Sequence, residues 1–246
     1  MNKLFDTPQT FAHPRYVSHR GFQPLAPENS LPSFTYAGRL GQWAIETDVH
    51  LTRDGELVCC HNATVEKMYD GEGAIADMTW AELSRLRLKC GNRLDCLSDE
   101  EKRMPLFSEY LAICRKYGCV PFIELKTMDG ARVARAVRAA GFGDDAVVMS
   151  AVGLEKLLPV RDVSRDMFIH LIFAKKEELD PLAALGNAGL SWNIPDCFAC
   201  PPEKVADAHD RGLRLCLRAG DSVAAVQHML DLGLDYIPTN CMHGAE

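Results

Sequence analysis

Residues 120–126 read Val-Pro-Phe-Ile-Glu-Leu-Lys, an apolar run of strand length that ends in two charged side chains. A similar segment lies upstream, where Trp43-Ala44-Ile45 leads into Glu46-Thr47-Asp48. On a β-strand, positions i and i+2 point to the same face, so each charged pair projects to one side of its strand. Burying several like charges together is costly unless they are paired or bind a cation. The two segments therefore predict buried strands that carry charge into one functional site.

The sequence after residue 118 alternates between short apolar runs and helical stretches. Runs rich in Val, Ile, Leu and Phe are typical of strands buried on both faces of a parallel sheet. Two such strands are predicted upstream of residue 118 and six downstream, at 15–19, 43–49, 120–125, 146–150, 167–173, 189–194, 213–218 and 234–238. Eight β/α units in about 250 residues predict an α/β fold, the closed (β/α)8 TIM barrel. An open doubly wound sheet is the alternative, but the G-x-G-x-x-G turn that often accompanies it is absent from the sequence.

Capping residues predict where several helices begin and end. Asp129 and Asp221 are expected to open helices that Gly141 and Gly233 close, and Ser108 is expected to cap a helix before the apolar run at 120–125. Residues 51–118 break the β/α rhythm with a hairpin signal and polar loops, which predicts an insertion between the second and third barrel strands. The whole chain, residues 1–246, is interpreted as one domain.

Three carboxylates, Glu46, Asp48 and Glu124, are predicted to share the carboxyl ends of adjacent barrel strands, which is the catalytic face of such barrels. A salt bridge to Arg or Lys would account for any one of them alone. Three together favour a divalent metal site. Because every ligand atom is oxygen, the expected ion is Mg²⁺ or Ca²⁺, with Mn²⁺ as a third option, rather than zinc.

Two imidazoles and two cations surround the predicted carboxylates. His19 ends the first strand and His61 follows the hairpin, so the pair could act as general acid and general base, although either alone is more often structural. Arg20 and Lys126 are candidates for phosphate contact, with salt bridges to the same carboxylates as the alternative. Three residues near later strand ends, Trp192, Asn193 and Arg218, are candidates for a pocket wall.

Composition excludes several classes of partner. The 246 residues carry a formal net charge of -7 without a run of Lys or Arg, which argues against nucleic-acid binding. We found no signal peptide or membrane span, and the 10 Cys are expected to be reduced thiols. These features predict a cytoplasmic protein and leave its oligomeric state open. The cluster of carboxylates, histidines and cations predicts that it acts on a small-molecule phosphodiester.

The order and spacing of these motifs resemble the glycerophosphodiester phosphodiesterase family over residues 16–127. The resemblance is carried by Ser18-His19-Arg20-Gly21, Pro27-Glu28-Asn29-Ser30, Glu46-Thr47-Asp48-Val49, Thr52-Arg53-Asp54-Gly55, His61-Asn62, Gly71-Glu72-Gly73 and Glu124-Leu125-Lys126. It implies a TIM barrel that hydrolyses glycerophosphodiesters to glycerol 3-phosphate and an alcohol. By motif match, His19 and His61 would be acid and base, the three carboxylates would hold the metal, and the two cations would bind phosphate.

The chain departs from the family pattern at four places along the sequence. Asn62 stands where an Asp usually follows the second His, and Lys67 stands where an Arg is common. Leu217-Arg218-Ala219-Gly220 replaces the usual Trp-Thr-x-Asn pattern near the seventh strand, and Thr239-Asn240 replaces Thr-Asp. The strand-seven change puts the usual wall of the alcohol pocket in doubt.

Two classes of function remain open from the sequence. The first is a metal-dependent phosphodiesterase, acting on glycerophosphodiesters or on a related phosphodiester such as a lysophospholipid. The second is a barrel that binds phosphate esters as a sensor or carrier without turnover. Both His, all three carboxylates and both cations are present, which favours the enzyme.

Overall fold

The computed structural model describes residues 3–244, in which eight parallel strands alternate with helices. The strands are β1 (Tyr16–Ser18), β2 (Ala44–Leu51), β3 (Leu57–Cys59), β4 (Val120–Leu125), β5 (Val148–Val152), β6 (Phe168–Ile172), β7 (Ala188–Ser191), β8 (Arg214–Cys216) and β9 (Ile237–Thr239). The helices are α1 (Leu31–Arg39), α2 (Trp80–Leu83), α3 (Phe107–Tyr117), α4 (Gly130–Ala139), α5 (Leu158–Val163), α6 (Leu179–Ala184), α7 (Pro202–Asp210) and α8 (Val223–Asp231).

The sheet is a nearly closed barrel with the strand order β8-β7-β6-β5-β4-β2-β1-β9. Asp235 joins the two ends of this path: its N–H donates to the Leu215 carbonyl, and its carboxylate accepts from the Leu215 N–H, both at 2.9 Å. The predicted TIM barrel is therefore confirmed. All eight predicted barrel strands are present, and their carboxyl ends open on one face.

Apolar side chains fill the amino-terminal end of the barrel. Phe122 and Phe168 belong to an interior cluster with Tyr236, which lies just before β9. Phe5, from the segment that precedes β1, packs on this cluster, with its ring centroid 5.0 Å from that of Phe168 and 5.9 Å from that of Tyr236. The cavity that contains the charged residues lies at the opposite end, among the carboxyl ends of the strands.

The segment between β2 and β4 carries a small core of its own. β3 pairs antiparallel with β2, as the hairpin signal predicts. Behind it, Val65, Tyr69, Ile75 and Leu83 are buried in a cluster separate from the main core. α3 lies inside the range predicted as an insertion, yet it packs against α1 on the outside of the barrel. It is therefore the crossover helix that leads into β4 and not part of the extra substructure.

Two predicted helix caps are wrong, and neighbouring hydrogen bonds explain both. α8 is capped by Ser222, whose hydroxyl accepts from the Ala225 N–H, because the carboxylate of Asp221 is engaged elsewhere. α3 begins at Phe107, before the predicted cap Ser108. There the Glu109 carboxylate accepts from the Leu106 N–H at 2.9 Å, which fixes the start of the helix upstream. The Asp129 cap of α4 is confirmed.

A tyrosine hydroxyl is inserted between β2 and β4. The Phe122 N–H donates to the Tyr110 hydroxyl at 3.1 Å, and that hydroxyl donates to the Ile45 carbonyl at 2.6 Å. Tyr110 is fully buried on α3. Its hydroxyl therefore bridges two backbone groups that the sheet leaves unpaired at this point, one residue from the carboxylate of Glu46.

Removing this hydroxyl should destabilise the barrel. We predict that Tyr110→Phe lowers the free energy of unfolding by about 2 kcal/mol, because a buried N–H and a buried carbonyl lose their partner. Urea unfolding measures the change, with Tyr36→Phe on α1 as the matched control. A variant within about 0.5 kcal/mol of the wild type would mean that β2 and β4 close directly on each other.

Candidate active site

Six of the seven predicted site residues line one cavity of about 500 Å³ at the carboxyl ends of the strands. They are His19, Arg20, Glu46, His61, Glu124 and Lys126. The seventh, Asp48, lies beneath them and is fully buried. In the pairing of β2 with β4, Asp48 stands opposite Glu124, which explains how two segments 76 residues apart share the site.

The three carboxylates form a compact cluster of oxygen atoms. One oxygen from each of Glu46, Asp48 and Glu124 lies within 4.8 Å of the others, a geometry that could hold a metal ion. Backbone and side-chain donors orient two of them: the Arg20 N–H donates to Glu46 Oε2 at 2.7 Å, and Asn29 Nδ2 donates to Asp48 Oδ2 at 2.8 Å. The other oxygen of Asp48, Oδ1, is buried and lies 3.1 Å from the Lys126 ammonium. A set of carboxylate oxygens of this kind is the donor set that Mg²⁺ or Ca²⁺ prefers.

The pKa values of the carboxylates diverge because of burial and mutual repulsion. Burial, together with the charges of Asp48 and Glu124, holds the pKa of Glu46 well above its usual range. Burial and Asp48 also raise the pKa of Glu124. Burial opposes ionisation of Asp48 too, but the cations Lys126 and Arg20 outweigh it and lower the pKa of this carboxyl. Burial and repulsion therefore favour the protonated forms of Glu46 and Glu124, whereas the two cations favour the charged form of Asp48.

Both cations already contact the carboxylates. The Arg20 guanidinium lies 3.1 Å from both oxygens of Glu28 and 3.4 Å from Asp48 Oδ2. The Lys126 ammonium pairs with Glu124 and lies 3.1 Å from Asp48 Oδ1. The salt bridges considered from the sequence are thus present, while both side chains also line the cavity, where an anionic ligand would reach them.

The two histidines face the same cavity with different supports. His19 Nδ1 lies 2.9 Å from Asn240 Oδ1, whereas His61 Nδ1 lies 3.4 Å from Asn62 Oδ1. Burial and the positive charge of Arg20 lower the pKa of His19. Burial lowers the pKa of His61 as well. Both rings are therefore neutral at neutral pH and can accept a proton.

The cavity floor includes residues that the sequence analysis left unassigned. Ser150 and His170 are opposite one another on β5 and β6, and Ser191 follows on β7. Burial lowers the pKa of His170 to about 3, so this ring stays neutral. The only sequence signal for these residues is a polar side chain at an inward position of an apolar strand.

The pocket-wall candidates have different outcomes. Arg218 lines the cavity, and its guanidinium lies 5.8 Å from the ring centroid of Phe173. Trp192 instead packs into the main core, and Ser191 takes the cavity position on that strand. His50 lies in the β2–β3 hairpin opposite Val58, with Nε2 3.4 Å from the His61 carbonyl.

Comparison with known proteins identifies a family whose members this chain resembles. The model of the glycerophosphoryl diester phosphodiesterase family matches residues 19–141. A glycerophosphodiester phosphodiesterase of Caldanaerobacter subterraneus subsp. tengcongensis is 27% identical over 232 residues, which cover 91% of this chain and 93% of that protein. Human glycerophosphodiester phosphodiesterase 1 is 32% identical over 110 residues, 45% of this chain and 33% of that protein.

Solved structures share the fold. An Oleispira antarctica phosphodiesterase in complex with the product sn-glycerol 3-phosphate aligns with a TM-score of 0.81 at 22% identity, covering 92% of this chain and 93% of that one. A glycerophosphodiester phosphodiesterase from Agrobacterium tumefaciens aligns with a TM-score of 0.76 at 23% identity, covering 93% and 97%. The family match includes His19, all three clustered carboxylates, His61 and Lys126, so the resemblance seen in the motifs is confirmed: the chain belongs to the glycerophosphoryl diester phosphodiesterase family and is an enzyme of that family.

Proposed function

We propose that this enzyme hydrolyses glycerophosphodiesters to glycerol 3-phosphate and an alcohol with the help of one divalent metal ion. The observation that carries the proposal is the cluster of Glu46, Asp48 and Glu124 in the same cavity as two neutral imidazoles and two cations. The sn-glycerol 3-phosphate bound to the Oleispira antarctica phosphodiesterase supports the same class of product.

The three carboxylates are the proposed metal ligands, and Mg²⁺ or Ca²⁺ is the proposed ion, with Mn²⁺ as the third option. A bound divalent cation would offset the charge of the phosphodiester and polarise its P–O bonds. Arg20 and Lys126 would add charge-assisted hydrogen bonds to the non-bridging oxygens, since both line the cavity. Their contacts with Glu28, Glu124 and Asp48 hold them in place for this role.

The proposed chemistry uses His19 and His61 as a base and an acid. One imidazole takes the proton of the nucleophile, which is either water or the neighbouring glycerol hydroxyl. The other, protonated when the anionic substrate occupies the cavity, gives its proton to the leaving alkoxide. The leaving oxygen thereby departs as an alcohol, and no free alkoxide forms.

The whole chain, residues 1–246, is proposed to act as one catalytic domain. The cavity draws residues from β1 at one end of the sequence and from Pro238 and Asn240 at the other. The first two and last two residues lie outside the described part. Among residues 3–244, no helix is long and apolar enough to cross a membrane. A cytoplasmic location stays a prediction from the sequence, as does the absence of a nucleic-acid partner.

Metal dependence should be visible in stability as well as in activity. We predict that Glu46→Gln raises the unfolding temperature of the metal-free protein at pH 8. The pKa of Glu46 is raised in the folded state, so folding disfavours the charged form above that pKa, and the penalty disappears as the carboxyl protonates at lower pH. Thermal unfolding in a chelator measures this effect, with exposed Glu203→Gln as the control.

Added metal should act in the opposite direction. Millimolar Mg²⁺ or Ca²⁺ should stabilise the wild type by mass action, and it should not stabilise Glu46→Gln or the Glu46→Gln, Asp48→Asn double variant. Both variants should lose nearly all turnover. An equal rise of the unfolding temperature in wild type and double variant would exclude these carboxylates as the metal site.

The roles of the two histidines can be separated by the leaving group. We predict that His19→Ala and His61→Ala each lose at least about 10²-fold in turnover of a glycerophosphodiester while the fold is retained. A nitrophenyl ester needs little protonation of its leaving oxygen, so it should restore one variant and not the other. His61 should be the less dominant residue, because the contact of its ring with Asn62 is long and uncharged.

The controls for this experiment lie in the same protein. His13→Ala changes an exposed imidazole of the amino-terminal segment and should leave turnover unchanged. Circular dichroism establishes that each variant is folded. Near-normal turnover of the natural diester by both cavity variants would remove the acid–base proposal and favour a phosphate-ester-binding protein without turnover.

Arg218 is proposed to select an anionic or inositol-type alcohol. It lines the cavity, is exposed, and forms no ion pair among residues 3–244. We predict that Arg218→Gln lowers kcat/KM for such a glycerophosphodiester about 10-fold and leaves that for glycerophosphocholine nearly unchanged, since a charge-assisted hydrogen bond is lost only for the first. Arg135→Gln on the outer helix α4 is the matched control. A wild-type preference for glycerophosphocholine over every anionic analogue would contradict this selectivity.

A lysophospholipid is the second candidate substrate, and an apolar rim favours it. Five large apolar side chains on this face of the barrel are each 40–60% exposed. One follows or ends each of the strands β4 to β8, in the order Met128, Val152, Phe173, Phe198 and Val223. Val152 and Phe173 also line the cavity. An acyl chain could cover this surface, whereas a small polar alcohol could not. Including lysophosphatidylcholine in the same substrate panel decides between the two classes.

A further inference from the structure

Asp221 is an exposed carboxylate at the carboxyl end of the barrel whose oxygens are occupied by the chain's last strand. Its Oδ1 accepts from the Asn240 N–H at 2.7 Å and from the Thr239 hydroxyl at 2.9 Å. Its Oδ2 accepts from Asn240 Nδ2 at 2.6 Å. An ionised carboxylate only accepts hydrogen bonds, so the amide of Asn240 must turn its NH2 group toward Asp221.

This orientation leaves the amide oxygen of Asn240 facing the active site. Asn240 Oδ1 lies 2.9 Å from His19 Nδ1 and 3.3 Å from Gln23 Nε2. An amide oxygen cannot donate, so the proton between Asn240 and His19 belongs to the imidazole. Gln23, which also donates to the His19 carbonyl at 2.9 Å, supports the same assignment of the amide.

We infer that Asp221 is a positioning residue that acts through Asn240 to hold His19 in the Nδ1–H tautomer, so that Nε2 is the nitrogen that accepts the nucleophile's proton. The inference rests on the proposed acid–base role of His19 and assigns it the part of the base. The O–H bond of the nucleophile breaks as the Nε2–H bond forms. The resulting imidazolium keeps its Nδ1–H bond to Asn240, while His61 supplies the proton for the leaving oxygen.

Where the family pattern has an aspartate at position 240, this chain has an amide, and a carboxylate occurs one hydrogen bond farther away, at position 221. Swapping the two side chains therefore gives a sharp test. In Asp221→Asn, the new NH2 group faces the Asn240 side chain and should invert that amide. His19 Nδ1 then meets a donor, and the ring should change to the Nε2–H tautomer. In Asn240→Asp, two carboxylates oppose each other in place of a 2.6 Å hydrogen bond.

The double variant Asp221→Asn, Asn240→Asp should restore the network. The amide introduced at position 221 would be the donor in that protein, and the carboxylate at position 240 would accept both from it and from the Nδ1–H of His19. We expect each single variant to lose on the order of 10²-fold in kcat with KM changed little, and the double variant to recover at least about 10-fold of that loss. Asp196→Asn, which alters the cap of a turn after β7 on the same face, is the matched control.

The tautomer itself is measured without turnover, by ¹⁵N NMR of the histidine rings in the metal-free protein. The expected result is Nδ1–H for His19 in the wild type and in the double variant, and Nε2–H in Asp221→Asn. An Nε2–H signal for wild-type His19, or the same tautomer in Asp221→Asn, would overturn the inference even if a single variant proved poorly folded. Full activity of His19→Ala would instead remove the proposed function and leave the tautomer result intact.

Discussion

The mutual repulsion of three clustered carboxylates, two of them buried and the third partly exposed, is the constraint on which the site depends. Glu46 and Asp48 are almost completely buried on one strand, and Glu124 lies directly opposite Asp48 on the next. In a medium of low polarity, such charges coexist only with cations or protons nearby. Arg20 and Lys126 provide part of that balance, and burial together with the neighbouring carboxylates raises the pKa of Glu46, which favours its uncharged form. A metal ion would remove the remaining imbalance.

The same balance involves the backbone of the loop that follows β1. Arg20 has a left-handed backbone conformation, with φ 57°, which aims its N–H at Glu46 while its guanidinium reaches Glu28. Asn29, also left-handed with φ 49°, donates to Asp48 and accepts from Thr47. Such conformations are unfavourable for side chains other than glycine and persist where the surroundings determine them. The loop after β1 thus holds Glu46 and Asp48 in place through hydrogen bonds from Arg20 and Asn29.

The sequence could predict the placement of a residue when that placement depends on its own strand or helix, and not when it depends on contacts with distant segments. The parity of Glu46 with Asp48 and of Glu124 with Lys126 follows from strand geometry, and the alternation of apolar runs with caps is enough to predict the barrel. Asp221 shows the limit: as an Asp before a helical stretch it matched a cap, and only contact with a strand 18 residues later reveals its actual partners. His170 and Ser191 were missed for a similar reason, since an inward position on a buried strand has no signature when one face cannot be told from the other.

The carboxyl face of the barrel is divided into two chemically different halves. The carboxyl ends of β1, β2 and β4 and the segments that follow them carry most of the charged groups, whereas the loops after β5 to β8 carry exposed apolar side chains such as Phe173 and Phe198. In the apolar half, the Arg218 guanidinium lies over the ring of Phe173, 5.8 Å from its centroid. Leu217, just after β8, replaces the tryptophan of the family pattern, and Asn62 and Asn240 replace aspartates beside the two histidines, so this chain departs from that pattern in both halves of the face.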